Sequence, residues 1–211
     1  MKEHELEYTA QITSIPRSNL PADLKITDWN SLEPYFKELL DRSIRSEGDL
    51  QKWLVDVSEV EAVVGEDAAW RQIRMTCDTE NKALEDAFTF FVMEIQPKIQ
   101  PYADKLNHKL DDNEYTKNLD SDAYKVYLRN VKKNIELFRE ENIPIQAEIA
   151  VLAQQYGVIS GKMSVEVQGQ EYTLQQATKF LENPDRELRE EVYRKIQERR
   201  LVDKEQLNDL F

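Results

Sequence analysis

Apolar residues recur along this chain at spacings of three, four and seven, the period of a helix with one buried face. Leu32, Phe36, Leu39 and Leu40 open the series. Asn30 precedes them and Glu33 follows it by three positions, as in a capping box, so a helix is predicted to start at Asn30. A second begins near Asp49 with Leu50, Trp53, Leu54, Val57, Val60 and Val64 on one face. Gly65 offers a break, after which Trp70, Ile73 and Met75 carry the pattern to about Asp78–Thr79. The third and longest pattern runs from Leu84 through Phe88, Phe91, Ile95, Tyr102 and Leu106 to Leu110. Pro97 and Pro101 lie inside it, so it is expected to bend or split there.

The fourth pattern is the most regular: Tyr124, Tyr127, Leu128, Val131, Ile135 and Phe138. Asn142-Ile143-Pro144 punctuates it, and a fifth helix follows through Ile149, Leu152 and Tyr156 to about Ser160. The period then changes from helical to alternating. Ser164 to Gln168, a turn at Gly169, and Glu171-Tyr172-Thr173 read as one small β-hairpin. Thr173 and Gln176 form a second capping box, opening a short helix to Leu181. Asn183-Pro184 reads as an N-cap followed by Pro at the first helical position, and Leu188, Val192 and Ile196 mark the last helix. Residues 1–28, with Pro16 and Pro21, read as an extended lead-in with one short strand from Tyr8 to Ile12. The fold class is therefore mainly α: a bundle of long, partly kinked antiparallel helices over 29–211 with one hairpin near 164–173. After Leu207, Leu210 and Phe211 no stop signal follows. Either the chain is cut within a helix or a terminal helix packs on the body.

Composition agrees with helices. Gly and Pro number only 5 and 7 in 211 residues, too few for the many turns of a barrel or sandwich. The net charge of −13 opposes binding to nucleic acid and to anionic membranes, although it leaves room for a local basic patch. One Cys forms no internal disulfide, and no apolar run approaches the roughly 20 residues of a membrane span. With no secretory signal visible, a soluble cytoplasmic protein is expected.

Candidate chemistry is sparse. A zinc-binding HExxH segment needs two imidazoles one helical turn apart. The chain has only His4 and His108, and His4-Glu5-Leu6-Glu7-Tyr8 ends in Tyr. His108 reads as a surface residue. Gly157 to Met163 looks like a phosphate-binding loop but has one residue too few between its glycines. It also has Met163 where Ser or Thr is needed, and a helix before it instead of a strand. Cys77 has Arg74 to lower its pKa and Asp78 to raise it, and reads as a buried structural residue. No Gly-x-Ser-x-Gly elbow occurs, and 41 acidic residues give no basis for choosing a catalytic pair. The charged stretches Asp185–Glu191 and Arg194–Arg200 read as solvated helix faces with i,i+4 pairing, and Tyr124, Tyr127 and Phe138 as core. No catalytic, cofactor-binding or metal-binding residue is assigned.

Several runs resemble the N-terminal part of the oligoendopeptidase F-like zinc metallopeptidases, relatives of thimet oligopeptidase. They are Leu32 to Leu40, Ile73 to Thr79, Leu137 to Pro144, the hairpin Val165 to Leu174, and Asn183 to Arg189, in the family's order from about residue 17 onward. The resemblance implies a mostly helical enzyme with a deep channel that admits short peptides and excludes folded proteins. It also implies zinc held by an HExxH segment and a downstream Glu, beyond the part resembled here. On this reading 29–211 is the helical N-terminal domain, forming channel wall, of a longer peptidase. Its partners are then the C-terminal catalytic region and short peptide substrates, and the 211 residues alone are inactive. The alternative is a stand-alone helical protein that binds peptides or a partner without cleaving them.

Overall fold

The computed structural model describes residues 17–210, which form two compact units, 17–67 with Asp104–Glu136, and Ala68–Ala103 with 137–210. The expected strand at Tyr8–Ile12, His4 and Phe211 lie outside the described residues. The helices are α1 (Glu33–Asp41), α2 (Glu47–Cys77), α3 (Lys82–Phe90), α4 (Gln96–Asp111), α5 (Ser121–Leu137), α6 (Asn142–Gly161), the single turn α7 (Leu174–Ala177), α8 (Arg186–Val202) and α9 (Lys204–Asn208). Strands β1 (Ser164–Val167) and β2 (Gln170–Thr173) pair antiparallel, with Val165 opposite Tyr172. The chain is mainly α with one small hairpin, as the patterning predicts.

In the first unit the helical faces read from the sequence are buried: Leu39, Leu50, Trp53 and Val60 are almost wholly enclosed. Residues 17–28 form neither helix nor strand. Their backbone is tied down by Glu59, whose carboxylate accepts N–H groups from Ser18, Asn19 and Leu20 at 2.9, 3.1 and 2.8 Å. The carbonyls that end α1 have no partner within the helix. Leu39 O accepts from the Trp53 indole at 2.9 Å. The Lys109 ammonium donates to Leu39 O, Leu40 O and Arg42 O at 2.9, 2.6 and 2.6 Å. A cation at the negative end of a helix dipole adds to those bonds. Arg42, just past α1, pairs with Glu38 and with the buried carboxylate of Asp56.

The start of α1 differs from the expectation. Asp28, not Asn30, supplies the cap: its side chain accepts from Ser31 N at 2.9 Å and opens a 3-10 turn, Trp29–Ser31, that holds Asn30 inside it. Likewise α2 runs unbroken through Gly65, where helix entropy costs about 1 kcal/mol against Ala but no bond is lost.

In the second unit the proline-containing pattern splits at a π-turn, Phe91–Ile95, between α3 and α4. There Gln96 N–H bonds Phe91 O, five residues back. The widened turn, five residues long, ends one residue before Gln96-Pro97 and includes Met93, on whose carbonyl the Pro97 ring would otherwise press. Pro101 is accommodated inside α4. The hairpin, α7 and α8 share one core of Met163, Val165, Val167, Leu174, Val192 and Ile196. Gln168 and Gly169, at φ +53° and +80°, supply the two positive dihedrals that a two-residue hairpin turn needs. The Thr173–Gln176 capping box forms with both bonds in place. For α8 the cap is Asp185, which accepts from Glu187 N and Leu188 N, while Asn183 instead accepts from Asp185 N at 3.0 Å.

Candidate functional site

The residues with candidate chemistry are not brought together. His108 is exposed on α4, and among the described residues its ion-pair contact is Asp104, one turn back at 3.8 Å. Gly157 and Gly161 lie within α6, and Met163 is buried in the hairpin core, so no phosphate-binding loop forms. Cys77 is exposed, contrary to the expectation of a buried thiol. It ends α2 on the solvent side, and Met75 occupies the inward position. Among the described residues, no three His, Cys, Asp or Glu side chains converge as metal ligands. The described residues do not fit a zinc site.

Three surface features remain. The first lies in the first unit, where Leu54, Val55, Ser58 and Glu61 of α2 face Ala123, Tyr124 and Tyr127 of α5 across a groove of about 310 Å³. Burial raises the Glu61 carboxyl above its ordinary value. Burial, helped by the Glu61 charge, pushes the Tyr127 phenol up to about 12. Tyr127 is 39% exposed, and Tyr124 and Phe138 are half-buried, so this aromatic stripe is groove and rim, not the core expected. Among the described residues of α5 only Val131 is fully enclosed.

The second feature is the outer face of α6. Ile145, Ile149, Leu152 and Tyr156, spaced four, three and four apart, are 39–58% exposed. Glu148 is the helix's only charged residue. Ile149, Leu152, Ala153, Tyr156 and Leu210 line an apolar groove of about 530 Å³. Apolar faces of this kind mark surfaces that another surface covers.

The third is a basic groove of about 580 Å³ beside α5, lined by Lys117, Lys125, Arg129, Lys132 and Lys133 with one acid, Glu136. The net charge leaves room for such a local basic patch without saying where it lies. The available signal was the four-residue spacing of Lys125, Arg129 and Lys133 in a chain of net charge −13.

Two crystal structures share the fold. A protein provisionally named oligoendopeptidase F, determined at 3.1 Å, is 20% identical with a TM-score of 0.78 over 87% of this chain. Another provisionally named oligoendopeptidase F, from Bacillus anthracis str. Ames, is 17% identical with a TM-score of 0.81 over 90% of this chain. This chain spans about a third of each, 33% and 35%. No curated protein matches it. No helix among the described residues is long and apolar enough to cross a membrane. The Peptidase M3 N-terminal domain family matches residues 21–138, more than half of the sequence, and the chain belongs to that family.

Proposed function

We propose that this chain is the N-terminal, channel-wall part of a zinc-dependent metalloendopeptidase that hydrolyses short peptides. The observation that carries the reading is the pairing of family membership over 21–138 with a shared fold across 87–90% of the chain. The chemistry belongs to a catalytic region outside these 211 residues, which hold no catalytic or metal-binding residue and are inactive alone. The apolar outer face of α6 supports the presence of a covering region, because four large side chains stand in water there with one charge among them. The role of the helical body is to limit access by size, so that peptides enter and folded proteins do not. Cytoplasmic placement is part of the proposal and is tested by fractionating the source cell.

The test is to purify the product of the native gene and assay a quenched fluorescent peptide before chelation, after chelation and after zinc is restored. The expected result is cleavage that chelation abolishes and zinc returns, with a folded protein of the same sequence content left intact. A native product that cleaves no peptide, or whose cleavage ignores chelation, overturns the proposal.

A further inference from the structure

The solvent face of α5 breaks a local rule. Lys125, Arg129 and Lys133 follow one another at four-residue intervals, so each meets a like charge one helical turn away. Such pairs destabilise a helix. Lys132 stands beside them, and Lys117 faces them from the 3-10 turn Thr116–Asn118. Two carboxylates stand at this groove: Asp111, 3.8 Å from Lys132, and Glu136 on its lining. Among the described residues none is within ion-pairing distance of Lys125, Arg129 or Lys133. The floor is apolar, with Leu119 buried and Leu128 half-buried. A local conflict without internal compensation is a mark of a functional surface.

We propose that this groove is a binding site for a short acidic peptide segment, one that presents two or three carboxylates to Lys125, Arg129 and Lys133 and an apolar side chain to Leu119 and Leu128. A ladder of cations one turn apart matches successive carboxylates along an extended chain and focuses the attraction locally. The size suits a few residues of peptide and not a folded domain. A long polyanion such as nucleic acid extends past the groove onto a molecule of net charge −13, where it is repelled. The site needs no catalytic region, so it stands or falls apart from the peptidase reading.

The test uses the 211-residue chain and a fluorescein-labelled Glu-rich hexapeptide carrying one Leu, followed by anisotropy at low and at physiological ionic strength. The expected result is saturable, salt-weakened binding that Arg129→Glu reduces by about tenfold or more. A Lys-rich hexapeptide does not bind. Arg129→Glu also places a carboxylate between Lys125 and Lys133, so its unfolding midpoint equals or exceeds that of the parent, which separates lost binding from lost folding. Arg129→Gln, neutral and helix-compatible, shows an intermediate loss. No saturable binding to the folded parent, or equal binding by Arg129→Glu, overturns the proposal. Tighter binding of a single-stranded oligonucleotide of equal charge, lost in Arg129→Glu, overturns it in favour of nucleic acid.

Discussion

Helices α5 and α8 are both 17 residues long, both rich in charge and both amphipathic, yet they use charge in opposite ways. On α8 three basic residues find an acid one turn away: Arg194 with Glu190 at 2.8 Å, Lys195 with Glu191 at 2.6 Å, and Arg199 with Asp203, just past the helix, at 2.6 Å, while exposed Arg186 and Arg200 stand outside this pairing. Its inner face, Val192 and Ile196, closes the hairpin core. On α5 the same spacing sets cation against cation, and among its described residues only Val131 is fully buried. Net charge, +2 on each, does not separate the two helices. The placement of acids one turn from the cations does. A self-satisfied surface has little to offer a ligand, whereas an unsatisfied one is held in place by the rest of the fold.

The largest effect that sharpens this contrast lies under α8. Ile196→Ala is expected to cost about 3 kcal/mol in urea unfolding, because it empties a site that is 3% exposed. Next comes the cap. Asp185→Ala removes the acceptor for Glu187 N–H and Leu188 N–H and should cost about 1 kcal/mol by the same measurement. Then the surfaces diverge in sign. Glu190→Lys should lower stability by about 0.3–0.5 kcal/mol, while Lys125→Glu should raise it by a similar amount. If both lowered it, the α5 ladder would be compensated elsewhere and the contrast would fail. The smallest effect is that of salt. Screening weakens attraction on α8 and repulsion on α5, so amide exchange should quicken slightly in α8 and slow slightly in α5 as ionic strength rises. Equal responses would remove the electrostatic distinction.

Much of this was legible in the sequence, and the misses have definite causes. The hairpin was legible because the period changes at Ser164 from helical to alternating and Gly169 marks the turn. The ion pairing of α8 followed from its i,i+4 charges. Both misplaced caps involve an Asn two positions from the Asp that caps instead. At the second, Asn183 folds onto Asp185 N–H and forms a turn that hands the helix start to Asp185. The split at Pro97 was predicted, but the π-turn that accommodates it leaves no sequence trace of its own. Of the surface features, Tyr127 was read as core because its helical spacing is correct, yet spacing does not tell how far a neighbouring element covers a face. The basic ladder is visible in the four-residue spacing of Lys125, Arg129 and Lys133, but a net charge of −13 carries no information about where the cations gather.

The Lys109 clamp on the end of α1 bears on how the polypeptide is made. Its acceptors, Leu39, Leu40 and Arg42, lie 70, 69 and 67 positions earlier. The first unit is built from two stretches of chain with residues 68–103 between them. A nascent chain leaving the ribosome therefore cannot complete that unit until the second stretch has emerged. Translation at about 5–20 residues per second leaves α1 and the start of α2 waiting for several seconds. Through that interval the carbonyls of Leu40 and Arg42 must be satisfied by water, and the end of α1 has the Trp53 indole but not yet the Lys109 ammonium.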